Sequence, residues 1–332
     1  MAKTVLIFLA FVLFAGCGKK TEKKIPARLI QNSNHDNSRL PGFLFVGMNR
    51  NRPAIYDYNF KSGKSKLFWF KSNESVVDLS YSLDKRFAFF VTARSRGRNG
   101  ASFYIKRVKV YLVNLKTSEI SFITSMGNGI QVFTGWEIDN SFKIIINAFD
   151  IKVASYINQH TKIFNIYGKL LVDKTETYDF AKNGYPVPKG NDWDLSSAGR
   201  QYSIRVISDS GKSKIYFVDN TNNYESLIVN SEQKLNDVIW GDNQKYVFIS
   251  TANSASAALF IYSTESKNIL KSWTGSGVNN FLVFDDYLIF DFGRGKESSI
   301  NIFDFSKMKL VKNINISGGC GINKVQEDLW QK

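Results

Sequence analysis

Three arginines at alternate positions, Arg94, Arg96 and Arg98, stand among glycines in TARSRGRNGASF, residues 92–103. A guanidinium donates in a planar fork that suits carboxylates, sulfates and phosphates, so this stretch points to an anion. A second stretch, VDKTETYDFAKNGYPVPKGNDW (172–193), gathers Tyr178, Phe180 and Tyr185 with two prolines and mixed charge. Both read as long loops, and long loops in compact domains are commonly functional. Catalytic material is thin. The two histidines, His35 and His160, lie near no cysteine or carboxylate cluster with metal-ligand spacing, and no G-x-S-x-G elbow accompanies His160. Asp192 with Asp194, and Asp285 with Asp286, read as turn caps, because a catalytic pair needs a set separation across a cleft. SMGNGIQ and TGSGVNN hold paired glycines but open no helix, and read as turns between repeats. No catalytic residue, cofactor or metal is expected.

The two cysteines, Cys17 and Cys320, lie about 300 residues apart. Cys17 stands at the exit of an apolar run from Val5 to Ala15, too short for the roughly 20 residues of a membrane-spanning helix. A basic start at Lys3, an apolar core and a small-residue exit at Ala15 and Gly16 are the parts of a secretory signal peptide. Phe14-Ala15-Gly16-Cys17 resembles the lipobox of bacterial lipoproteins. That resemblance implies cleavage before Cys17, loss of residues 1–16 and a diacylglycerol on the Cys17 thiol. Acyl chains anchor at about 0.8 kcal/mol per buried methylene, so two or more hold stably. Cys320 is then left without an intrachain partner. Gly18, rather than an inner-membrane aspartate, follows the cysteine and favours outer-membrane sorting.

Residues 17–41 are polar and lysine-rich, with little that could order them, and read as a lipidated, flexible basic tether. Lys19, Lys20, Lys23 and Lys24 could also meet anionic headgroups. Residues 42–332 form the body, large enough to bury a core. The formal charge is +15 over 332 residues, spread along the chain. An exported lipoprotein has little access to nucleic acid, so an acidic envelope protein, an anionic glycan or lipid headgroups are the expected partners. The body is expected to be monomeric.

Nearly every segment after Leu40 is a run of 4–8 apolar or alternating residues broken by Asn, Gly, Ser or Asp, which predicts an all-β body. The strands recur in a fixed order. Segments 76–91, 131–146, 192–206, 235–250 and 278–292 each pair two strands across a polar turn. Aromatics six apart mark three of them: Tyr81 and Phe87, Trp136 and Phe142, Trp240 and Tyr246. A third and a fourth strand follow each pair. Four strands recurring every 42–60 residues are the pattern of a β-propeller. Three strands precede the first full repeat and one short strand, GINKVQ (321–326), follows the fifth. The expectation is therefore six four-stranded antiparallel blades, with the ring closed by N- and C-terminal strands in one blade.

YSLDKRFAFFV (81–91) followed by KVYLVNLKT resembles the repeat of TolB-type, WD40-like propellers, W-S-P-D-G-K-x-I-A-F then I-Y-x-x-D. Trp136 and Trp240 match its tryptophan, whereas Tyr81 replaces it; Lys85 and Asn140 stand where the repeat has glycine. The resemblance implies an envelope binding or scaffolding module. The expected function is a membrane-anchored lipoprotein whose propeller binds protein or glycan without chemistry of its own. The alternatives are a lyase or hydrolase of anionic polysaccharide and an outer-membrane protein assembly factor.

Overall fold

The computed structural model describes residues 42–322, apart from 83, 100–101, 138–139, 150–155, 180–200, 210–211, 242–243, 254, 279, 294–296 and 317–320. These residues are all-β, in six antiparallel sheets. The first sheet is β1 (Gly42–Asn49), β2 (Arg52–Asn59) and β3 (Lys64–Trp69). The second holds β4 (Ser75–Tyr81), β5 (Phe87–Ala93), β6 (Ser95–Asn99), β7 (Ser102–Asn114) and β8 (Glu119–Gly129). The third is β9 (Gln131–Trp136), β10 (Phe142–Phe149), β11 (Tyr156–Phe164) and β12 (Leu170–Asp179). The fourth is β13 (Tyr202–Asp209), β14 (Lys212–Asp219) and β15 (Tyr224–Ser231). The fifth is β16 (Lys234–Trp240), β17 (Tyr246–Ala252), β18 (Ala257–Ser263) and β19 (Asn268–Gly275). The sixth is β20 (Phe281–Phe284), β21 (Tyr287–Phe292), β22 (Ser299–Asp304) and β23 (Lys309–Asn315). The opening strand expected at 192–195 in the fourth repeat lies outside the described residues.

One outer hairpin recurs in all six sheets. It joins the last two strands, and its final turn residue is left-handed: Gly63, Ser118, Gly168, Asn223, Lys267 and Met308 have φ between 49° and 80°. A side chain at the turn's start caps the backbone. Asn59 Oδ1 accepts from Ser62 N at 2.8 Å, Asp219 Oδ1 from Thr221 N at 3.0 Å and Asp304 Oδ1 from Lys307 N at 2.9 Å. Beyond each turn the register slips by one residue beside an aromatic, at Tyr56, Tyr111, Phe164, Tyr216, Tyr262 and Phe303. Such a bulge sharpens local twist. The other hairpins carry a second left-handed residue, at Lys85, Asn140 and Gln244, the position the repeat gives to glycine.

Packing joins the second sheet to the third, the fourth to the fifth, the fifth to the sixth, and the sixth to the first and second. Phe89 of the second sheet stacks on Phe142 of the third with centroids 4.1 Å apart, and both are fully buried. The fourth and fifth sheets share a core around Phe217, Trp240 and Tyr262, and the fifth and sixth share one around Phe248, Phe290 and Phe303. Residues of the sixth sheet, Phe284, Ile289, Ile300 and Ile302, lie in one core with Phe43, Val46 and Ile55 of the first and Leu79 and Phe90 of the second.

Four expectations need correction. Residues 92–103 are not a loop: Ser95–Asn99 pairs with the start of β7, because the alternating Phe103, Ile105 run supports a strand. Residues 172–179 belong to β12, so Tyr178 sits on a strand. The SMGNG stretch lies in β8, where Gly127 takes φ 80° and a Cβ on Gly129 would meet Ile146 at 2.3 Å. Of the expected closing strand 321–326 only Gly321 and Ile322 lie among the described residues, and Gly321 forms an antiparallel bridge with Val46. Tyr81 meets the neighbouring part of β1. Its hydroxyl donates to Leu44 O at 2.5 Å and accepts from Leu44 N at 2.6 Å, occupying the next pair of ladder groups on β1. The strand count departs from four in the second sheet, which holds five; three strands are described in the first and in the fourth.

Candidate functional site

Antiparallel order sends the β5-to-β7 connection and the links between successive sheets to one end of the strands, and the outer hairpins to the other. The linking end of the first two sheets carries a set of arginines. Arg50 and Asn51 form a two-residue turn, with φ 48° and 62°, between β1 and β2. Arg50 is exposed and Arg52 half-buried beside it. On the adjoining second sheet Arg94 is exposed, and its N–H donates to Lys106 O at 2.9 Å, which roots the β6–β7 hairpin. Arg107, also exposed, sits on a bulge with φ 53°, its N–H held by Asn128 Oδ1 at 2.9 Å. The backbone of Arg96 and Arg98 extends this hairpin on β6. Among the described residues, the carboxylate at this end of the two sheets is Glu74.

Glu74 is already engaged. It is buried, bound to the Lys109 ammonium, and its Oε2 accepts from Thr92 and Tyr111 hydroxyls at 3.1 Å each. Burial alone would raise its pKa; the Lys109 and Thr92 bonds hold it below the usual carboxylate range. Lys71 donates to Tyr111 Oη at 3.2 Å and lies 5.1 Å from that ring's centroid. The carboxylate therefore neutralises Lys109 and leaves the arginines to solvent or to a ligand.

A partly buried polar layer repeats at the same end. Each pair joins a residue at the start of a sheet's lead strand to one near the end of its second. Thr92 donates to Glu74, Asn147 to Gln131 at 3.0 Å, Thr251 to Gln233 at 2.6 Å, and Asn280 to Asp291 at 3.2 Å. Asp291 is 2% exposed, and its other oxygen accepts from Ile322 N at 3.0 Å. Burial pushes its pKa up to about 8 against those two hydrogen bonds. An open groove of about 460 Å³ lies at this end between the fourth and fifth sheets, lined by amide and hydroxyl groups of Gln233, Asn253, Ser256 and Thr274 with Ile228 and Phe260.

The structure gathers some of the expected residues and not others. Arg94 and the β6 arginines stand at the linking end, as does Asp179 at the end of β12. Tyr178 donates to Glu176 at 3.3 Å on β12 and is half-buried. Cys17, Phe180 and Tyr185 lie outside the described residues. His160 is far from both ends, on β11, with Nε2 2.6 Å from Asp173 Oδ1 and Lys162 on the same carboxylate at 3.2 Å. Among the described residues no three His, Cys, Asp or Glu side chains converge on one point. Arg50, Arg52 and Arg107 were not singled out by spacing. The signal for the first two is Asn49-Arg50-Asn51-Arg52, a tight hairpin turn flanked by strands.

No family model matches the chain, and no curated protein matches it. Solved structures do. TolB from Acinetobacter baumannii superposes with a TM-score of 0.45 at 13% identity, over 86% of this chain and 66% of that one. A prolyl endopeptidase gives 0.41 at 11% identity, over 88% of this chain and 50% of that one. A nidogen–laminin complex gives 0.40 at 9% identity, over 83% and 94% respectively. The chain thus spans just under two thirds of the TolB chain. With TM-scores below 0.5, these likenesses do not bear on what the chain does.

Proposed function

We propose that this chain is a six-bladed β-propeller, tethered through Cys17 to a membrane of the cell envelope, that binds a carboxylate-rich partner without chemistry of its own. Six sheets with one recurring outer hairpin, five of their six neighbouring pairs sharing a core, support the ring. The shared core of the first and sixth sheets and the Val46–Gly321 bridge support its closure. The observation that carries the binding role is the placement of Arg50, Arg52, Arg94 and Arg107 at the linking end of two adjoining sheets, with Glu74 already paired to Lys109. Unpaired guanidinium groups raise the local potential and draw carboxylates. That end is opposite the one from which the chain before Gly42 departs, so a tethered body presents it away from its anchor.

Arg50→Glu with Arg94→Glu tests this. Crosslinking from native membranes identifies an acidic protein partner, and a uronate polymer in a binding assay identifies a glycan. The double variant is expected to lose at least tenfold in affinity for whichever binds, with an unchanged unfolding midpoint. Equal binding by the variant refutes the role, and turnover of the polymer refutes the non-catalytic reading.

A further inference from the structure

The end opposite the arginines has a composition of its own. Twelve of the fourteen exposed large apolar side chains among the described residues lie in the six outer hairpins, in the turn or in the first four residues of the last strand. Phe122, Tyr167, Leu310 and Val311 are 57%, 69%, 49% and 52% exposed. The hairpin segments 60–67, 115–122, 165–172, 220–227, 264–271 and 305–312 hold ten lysines and three glutamates, with no arginine and no aspartate. All ten lysines are exposed. Six of the ten fall on the first and sixth sheets, which meet at this end where Phe60 of the first outer turn stacks on Tyr287 at the start of β21, centroids 4.9 Å apart. The inner turns at this end are of mixed sign: Arg86 is bound to Asp84, while Asp285 and Asp286 are exposed.

The chain that precedes the body leaves from this same end. Gly42 is the ladder partner of Asn59, at the start of the first outer turn. A flexible stretch the length of residues 17–41 has a root-mean-square span of about 25–30 Å. A body on such a leash keeps its hairpin end within reach of whatever holds the leash.

We propose that the hairpin end docks on an anionic lipid surface, which extends the tethered reading above. Lysine interleaved with exposed leucine, phenylalanine and tyrosine is the chemistry of interfacial binding: apolar tips enter the headgroup boundary while ammonium groups meet lipid phosphates. Lysine stems lie along apolar surface and keep their charge in water. A protein interface would instead concentrate a desolvated apolar centre and favour arginine over lysine. Here the apolar tips are spread over six hairpins, each at the same end of its own sheet, which suits an extended and fluid surface.

Amide hydrogen exchange tests the docking, using the protein as its native host makes it. The protein is mixed with vesicles of phosphatidylcholine alone or of phosphatidylcholine with phosphatidylglycerol. Amides in 60–67 and 305–312 are expected to slow only on the phosphatidylglycerol vesicles, and high salt is expected to restore their exchange. The triple variant Lys64→Ser, Lys309→Ser, Lys312→Ser is expected to weaken docking by about 100-fold, at about fivefold per lysine. Unchanged exchange in β9–β12 shows that the variant is folded. Equal exchange on both vesicle types, or slowing at 94–99 instead, overturns the proposal. The mass of the N-terminal peptide reports acylation of Cys17 separately, so a failed tether and a failed docking surface give different results.

Discussion

Tyr81 shows how one atom edits a repeat. At the equivalent positions Trp136 and Trp240 are buried with their indole nitrogens unbonded. Tyr81 brings a hydroxyl instead, and that hydroxyl closes both polar groups of Leu44 on the side of β1 that faces away from β2. Burial pushes its phenol pKa up, so it keeps the proton it donates. Tyr81→Phe should cost about 2–4 kcal/mol by orphaning a buried N–H and C=O, and a change under 0.5 kcal/mol in chemical denaturation would refute the cap. Asp291 should make stability depend on pH. Its folded pKa of about 8 exceeds the unfolded value of 3.8, so the folded state binds the extra proton between them. Stability should then fall as pH rises from about 4 to 8, by up to about 1.4 kcal/mol per unit, and level off above. Asp291→Asn should flatten that slope while still accepting from Ile322 N; an unchanged slope across pH 5–9 means the carboxyl is not the source.

At the scale of elements, the outer hairpin sets the fold. Its left-handed turn residue is glycine only at Gly63 and Gly168; elsewhere Ser118, Asn223, Lys267 and Met308 bear the strain. A Cβ on Gly63 would come no nearer than 3.9 Å to Tyr58 Oη, an ordinary contact, so Gly63→Val reads mainly the backbone cost. It should lower stability by about 1–2 kcal/mol, a fall visible in the thermal midpoint, whereas Gly63→Asn, which tolerates this region, should change little. The strands were legible in the sequence because alternation and Asx-rich turns are local properties, and Trp136 with Phe142 marked a real hairpin. Residues 95–99 were not, because arginine and glycine carry little strand preference and pair only against β7. The basic end was half legible for the same reason. Arg94 announced itself by spacing, but Arg50 and Arg107 join it only through sheet order, which no local pattern encodes.

For the whole molecule the decisive question is how the two ends of the chain meet. Ile322 is fully buried, its N–H is held by Asp291, and Gly321 beside it pairs with Val46 on the far side of the seam. Truncating this side chain therefore acts where the first and sixth sheets join, far in sequence from most of the core it supports. Ile322→Ala should cost about 2–5 kcal/mol, as large-to-small changes at buried sites do. The distribution of the loss is more informative than its size. A ring held shut by this segment should open at the seam first, so amide exchange should rise in β1, β20 and β21 while β9–β12 stay protected. The Phe89–Phe142 stack gives β9–β12 an anchor of their own, independent of the clasp. If exchange rises evenly around all six sheets, the clasp is one core contact among many. If it rises at the seam alone, closure is a separate cooperative step that a few C-terminal residues control.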